Sequence, residues 1–267
     1  MALPVVTAAT VAGGMWFVAL ITVVVLLATW ELAELVTHAG FPAMRIVAVL
    51  ASIAGPLALA TGRAEVAWLL VVTPTIGGLG SLAFGEFKPN RFTGWGLSLA
   101  SGMYVGGLLS AGIPLRALEG GLDWVVAILA ATWCCDTAAF FVGRRWGRHK
   151  LAPAVSPGKT VEGLIGGIVA AMVAAVAIGA MVAQPALRMV GFGAVVAVGS
   201  VIGDLAESAI KRQLGAKDSG QFMPGHGGML DRIDSLLFAV PLGLAYIILT
   251  TPATFVPYTN LSSVGVP

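Results

Sequence analysis

Apolar runs of about 18 to 25 residues alternate with short polar loops along this chain, a period suited to helices that each cross a bilayer. Eight such spans are predicted, over residues 13–33, 43–62, 64–84, 93–113, 122–143, 161–183, 187–210 and 233–251. The stretch from Leu3 to Thr37 is too long for one upright helix and too short for two. It therefore predicts a tilted helix or a bent first segment, and leaves room for a ninth element. The fold class expected is all-α, a polytopic integral membrane protein forming one domain over 1–267. Residues 1–120 supply N-terminal helices, and 121–251 carry the polar motifs.

Composition sharpens this picture by excluding a soluble domain: 58% of residues are hydrophobic and 10% charged. No Lys or Arg precedes Arg45, so a cleavable leader is not expected and the N-terminus reads as retained. Twelve of the fifteen basic residues fall in or beside the loops after spans one, three, five and seven, against Arg63, Arg116 and Arg188 on the other side. The positive-inside rule then places the first group in the cytoplasm and, with eight spans, both termini opposite. Cys134 and Cys135 are adjacent within an apolar span, where a disulfide between them would be strained, so they read as packing residues. Gly102 with Gly106, and Gly163 with Gly167, form small faces that let helices approach closely.

The remaining charge gathers in three places. Asp136 lies inside span five and needs a partner, a cation or a water-filled cavity; Arg144, Arg145, Arg148 and Lys150 follow it, explained equally by topology and lipid headgroups or by substrate. The second place is Ser156 to Gly163. Its Gly158-Lys159-Thr160 is not a nucleotide-binding loop, because Pro153 stands where that motif needs glycine. Ser156 or Thr160 could cap the following helix, or contact an anion together with Lys159.

The third and densest place runs from Asp204 to Asp234, with nine ionised side chains. Groups of this kind cost about 2.5 to 3.5 kcal/mol each at membrane depth, so they persist where function requires them. Asp204, Glu207, Ser208 and Lys211 follow i, i+3, i+4, i+7 and share one helix face. A solvated Glu207–Lys211 pair is the plainer reading of the last turn. Five glycines and Pro224 then predict an irregular loop over 214–229, and Asp231 and Asp234 fall on the first turn of span eight. Helix capping would explain either carboxylate alone. Oxygen donors in such a set suit magnesium, whereas His226 lacks ligand-spaced partners for a zinc site and reads as an anion-facing or structural turn residue.

These residues carry a resemblance. The pattern S-x-x-K-R-x4-K-D-x-G-x-x-x-P-G-H-G-G-x-x-D-R-x-D is filled by Ser208, Lys211, Arg212, Lys217, Asp218, Gly220, Pro224, Gly225, His226, Gly227, Gly228, Asp231, Arg232 and Asp234. In it the chain resembles the phosphatidate cytidylyltransferase family, and the segments around Asp136 and Lys159 resemble that family's other motifs. The resemblance covers about the C-terminal half. It implies that CTP and phosphatidate give CDP-diacylglycerol and pyrophosphate, with magnesium required and room for a second, monovalent cation such as potassium.

On that footing Asp204 and Asp231 are expected to hold the metal, with Asp136 and Asp234 as further ligands or supports. Asp204, Asp231, Lys211 and Asp234 form the expected catalytic set. Ser208, Arg212, Lys217, His226, Arg232, Lys159, Ser156 and Arg144 form the expected substrate-binding set. Further expectations are a site at the cytoplasmic edge of the cell membrane, acyl chains left in the bilayer, no nucleic-acid partner, and helix faces that would allow a homodimer. A CTP-dependent lipid kinase is the rival enzyme. An ion-coupled transporter is disfavoured, since the polar groups cluster on one side instead of lining a path across the midplane.

Overall fold

The structure, a computed structural model, describes residues 2–85, 89–216, 219 and 228–250. It is a polytopic helical membrane protein. Among the described residues seven helical stretches are long and apolar enough to cross a bilayer, and Arg45–Thr61 is a shorter apolar helix. All eight predicted positions are helical, with shifted edges: the first long helix continues to His38 and the fifth to Trp146.

The chain divides into two compact units. Of the described residues, the first comprises those within 2–117 and 213–232. Its helices are α1 (Ala2–Ala12), α2 (Gly14–His38), α3 (Arg45–Thr61), α4 (Ala64–Phe84), α5 (Arg91–Gly102) and α6 (Gly112–Arg116). The long opening stretch proves to be two helices broken at Gly13 and Gly14, whose φ values of 64° and 52° suit residues without a Cβ. Arg116 fixes the break, its Nε donating to the Thr10 carbonyl at 2.9 Å and its Nη2 to the Val11 carbonyl at 3.0 Å. These carbonyls lie in the last turn of α1, where the helix itself supplies no donors and a cation is favoured.

Helix α5 widens into a π segment over Met103–Gly107. A Cβ at Gly102 would strike the Ala48 carbonyl, and one at Gly106 the Ser52 backbone, so the expected small-residue face is where α3 packs. The buried core of this unit includes Val25, Ala28 and Val36 of α2, Ala48 of α3, and Val105 and Ile113.

The second unit comprises, of the described residues, 118–212 and 233–250. It holds α7 (Gly121–Trp146), α8 (Val161–Met181), α9 (Ala186–Gln213) and most of α10 (Leu230–Thr250). Between α7 and α8 the chain forms an antiparallel hairpin, β1 (Lys150–Ala152) with β2 (Ser156–Thr160), pairing Lys150 with Thr160 and Ala152 with Ser156. The apolar spans leave 144–160 between the fifth and sixth helices and predict no strand there. Cβ atoms at Gly163 and Gly167 would lie 2.7 Å from the Ala139 carbonyl and 2.9 Å from the Cys135 carbonyl, so α8 rides close on α7. Cys135 is buried in this contact and Cys134 is exposed; neither is in a disulfide. Glycines again mark where α9 meets its neighbours: Gly193 lies against Ala171 and Met172, Gly199 against Ala239, and Gly203 against Asp234 and Ser235. Fully buried Phe192 stacks between Trp124, at 5.2 Å, and Tyr246, at 6.1 Å.

Candidate functional site

The second unit brings together polar groups from four of its elements. Helix α7 contributes Asp136, β2 contributes Lys159, α9 contributes Ser200, Asp204 and Ser208, and α10 contributes Asp234. The Lys159 ammonium lies 2.5 Å from Asp204 Oδ2, with both side chains about three-quarters buried. Ser208 donates to Asp204 Oδ1 at 3.3 Å, and Ser200 to Asp136 Oδ1 at 3.4 Å. Asp136 and Asp234 both lie in the electrostatic field of Asp204 and of Lys159. The closeness of α9 and α10 at Gly203 makes this possible, since any side chain there would strike the Asp234 carbonyl. Lys159 is thus in contact with Asp204, and its charge also bears on Asp136 and Asp234, so among these described residues three carboxylates share the influence of one ammonium.

Lys159 reaches this cluster because of how its strand ends. Thr160 Oγ1 accepts from the Gly163 amide at 3.1 Å, capping α8. Of the alternatives left open for Ser156 and Thr160, capping is what Thr160 does; Ser156 is a strand residue opposite Ala152. Glu162 ties the preceding turn to the same helix start, accepting from the Arg148 amide at 3.0 Å and approaching His149 Nδ1 at 2.7 Å. Thr160→Ala is accordingly expected to cost about 1 kcal/mol. A Tm lower by about 2–4 °C in detergent is the matching readout, and an unchanged Tm would deny the cap its weight.

On α9 the predicted stripe is present, and the structure extends it. Ser200 lies four residues before Asp204 on the same face, and its place in the stripe was the signal that sequence reading passed over. Glu207 and Lys211 do pair, at 2.9 Å, but Glu207 is only 1% exposed and Lys211 12%. The solvated-pair reading is thus corrected: α9 carries a buried ion pair, because its last turns still lie against other residues of the fold. Arg144, Arg212 and Arg232 are exposed.

Asp231 belongs to the first unit. Its Oδ2 accepts from Ser219 Oγ at 2.8 Å and from the amides of Ser219 at 3.1 Å and Gly228 at 3.2 Å. Glu31 of α2, in the same unit, was missed: its two oxygens accept from the amides of Met229 and Leu230, each at 2.9 Å. An acid within the first long apolar span was the available signal. Lys217 and His226 lie outside the described residues.

Within the second unit Asp136, Asp204 and Asp234 offer hard oxygen donors of the kind magnesium takes, commonly one or two carboxylates completed by water and phosphate oxygens, and Asp231 of the first unit is a donor of the same chemistry. Among the described residues no three Asp, Glu, His or Cys groups form a ready-made metal cage.

Comparison with known proteins adds the last observations. Residues 1–250 match the family described as Cytidylyltransferase family. The chain is 36% identical over 209 residues to a protein of Escherichia coli (strain K12) named Uncharacterized protein YnbB, covering 78% of this chain and 65% of that one. It is 40% identical over 183 residues to the phosphatidate cytidylyltransferase of Brucella suis biovar 1 (strain 1330), covering 65% and 64%. To the phosphatidate cytidylyltransferase of Bacillus subtilis (strain 168) it is 42% identical over 150 residues, covering 55% of each chain. The matches span a little under two thirds, or less, of these relatives' lengths.

Proposed function

Because this chain belongs to the cytidylyltransferase family, we propose that it transfers a cytidylyl group from CTP to phosphatidate, giving CDP-diacylglycerol and pyrophosphate. The observation that carries the reading is the cluster of Asp136, Asp204 and Asp234 around Lys159, joined in sequence to the basic segment 208–234. In this reaction a phosphate oxygen of phosphatidate attacks the α-phosphorus of CTP. The bond from that phosphorus to the α,β-bridging oxygen breaks, and pyrophosphate leaves with its electron pair. The attacking oxygen is already anionic, so no covalent nucleophile or strong base is required of the protein. What it must supply is alignment and neutralisation of several phosphate charges.

Lys159 is suited to the phosphates because its ammonium is held on a strand end and oriented by Asp204, not waving in solvent. Ser208 offers a hydroxyl on the same face of α9. Arg212, Arg232 and Arg144 are exposed cations that serve the same end, and Lys211, Lys217 and His226 complete the proposed set. Asp204 and Asp231, supported by Asp136 and Asp234, are the residues proposed to hold magnesium, with a monovalent ion such as potassium as a second cation. Magnesium would supply charge stabilisation to the α-phosphate and the departing pyrophosphate. The site is proposed to face the cytoplasm from the cell membrane, where CTP arrives from water and the acyl chains remain in lipid. A homodimer is proposed as well, through surfaces other than the Gly102/Gly106 and Gly163/Gly167 faces, which pack within the chain.

The test is an assay of the purified full chain with CTP, phosphatidate and magnesium, following pyrophosphate and liponucleotide together. Equimolar release of both is expected. Formation of CDP with a phosphorylated lipid alcohol would establish the kinase reading instead, and absence of turnover would remove the proposal.

A further inference from the structure

Helix α10 begins at Leu230, and like any helix it leaves its first amides without partners inside the helix. Two carboxylates gather the amides at that start and just before it: Glu31 takes the Leu230 amide and the Met229 amide preceding it, and Asp231 the amides upstream. Asp231 reaches back to the Gly228 amide at 3.2 Å and to Ser219, while Glu31 takes the next two amides, Met229 to Oε1 and Leu230 to Oε2, both at 2.9 Å. Glu31 is 5% exposed, and Leu230 is 1% exposed. The fit tolerates little: a Cβ at Gly228 would lie 2.7 Å from Glu31 Oε2 and would also strike Ser219 Oγ.

The two amides held by Glu31 belong to the residues directly before Asp231. Where Glu31 holds them sets where the Asp231 carboxylate stands, since only one peptide unit separates Leu230 from Asp231 and that unit is planar. We infer that Glu31 is a positioning residue for the reaction: a bidentate clamp from α2 that fixes the first turn of α10 and so aims Asp231. This inference rests on the cytidylyl-transfer reading. The chemistry of the clamp is specific to a carboxylate of this length. Glutamine offers one acceptor oxygen and turns an NH2 toward the other amide, and aspartate falls one methylene short.

The experiment compares the purified full chain with Glu31→Gln, Glu31→Ala, and a control, Glu34→Gln, which changes the other acid of α2. Three readouts are taken: steady-state kinetics with CTP and phosphatidate, the magnesium concentration for half-maximal rate, and hydrogen exchange over 228–232. Both Glu31 variants are expected to lose about 10- to 100-fold in kcat, the scale of a catalytic group misplaced by roughly an ångström. The expected companions are a CTP KM within about threefold of wild type, a raised magnesium requirement, faster exchange of the 229 and 230 amides, and no further loss when Glu31→Gln is added to Asp231→Asn. The control should match wild type throughout.

Wild-type kinetics and magnesium requirement in Glu31→Gln would overturn the inference. So would a kcat loss with unchanged magnesium requirement that adds fully to Asp231→Asn, because a purely structural fault lowers the amount of active protein without touching Asp231. Should Glu31→Ala fail to fold, the near-isosteric glutamine variant decides alone. If wild type itself makes no liponucleotide, the functional reading fails and the catalytic role of Glu31 with it. Exchange at 229 and 230 would still report whether the clamp exists.

Discussion

Exchanging Asp204 for asparagine is expected to lower liponucleotide formation by about 10²- to 10³-fold, the usual effect of removing one preorganised charge from a phosphate- or oxyanion-handling site. Asparagine matches aspartate in size and keeps an oxygen to accept from Ser208, so the local packing survives while the negative charge is lost. Lys159 then faces a neutral amide instead of a carboxylate at 2.5 Å. Because both side chains remain about one-quarter exposed, water can take over part of the lost pairing, and the variant should still fold. Kinetics on protein whose thermal unfolding has been measured checks this. Near-normal turnover in a folded variant would remove Asp204 from the chemistry.

Lys159→Met should also be severe, with a different fingerprint. The lysine is the cation in contact with Asp204, and its field also reaches Asp136 and Asp234. Its removal leaves three carboxylates without that compensation. Turnover should fall by about 10²-fold through lost phosphate stabilisation, while the magnesium concentration for half-maximal rate falls as well, because a more negative cluster attracts a divalent cation more strongly. The two effects run in opposite directions. A variant that lost activity and needed more magnesium would show that Lys159 does not balance this cluster in the working enzyme.

Much of the fold was legible because lipid imposes one simple demand: about 20 consecutive apolar residues per helix. Every predicted span is helical for that reason. What escaped was set by contacts instead of composition. The hairpin of Lys150–Ala152 with Ser156–Thr160 is too short, and too rich in Pro and Gly, to leave a period-two pattern. The π segment at Met103–Gly107 has no distinguishing residues at all. The opening stretch was read as bent or tilted, but only Arg116, more than a hundred residues away, shows where the break is secured.

The candidate site divides in the same way. The spacing of Asp204, Glu207, Ser208 and Lys211 was readable because a helix converts spacing into a face. That Glu207 is buried was not, since burial depends on what packs over the turn. Ser200 was a neutral residue in an apolar run, and its bond to Asp136 joins positions 64 apart. Glu31 acquires meaning only from two amides on the far side of the chain. Local pattern identifies charged candidates; it says little about which neutral groups or distant backbone atoms hold them.

That clamp also bears on how the protein is made. The amides that Glu31 binds are 198 and 199 residues further along the chain. At ribosomal speeds of about 5–20 residues per second, they emerge roughly 10–40 s after Glu31 itself. Throughout that interval a carboxylate sits within the first long apolar helix without the donors it will later bond. A chain cut short before residue 228 never acquires them. Loss of the C-terminal stretch should therefore mark the nascent protein for quality-control proteolysis through a helix made near the very beginning of synthesis.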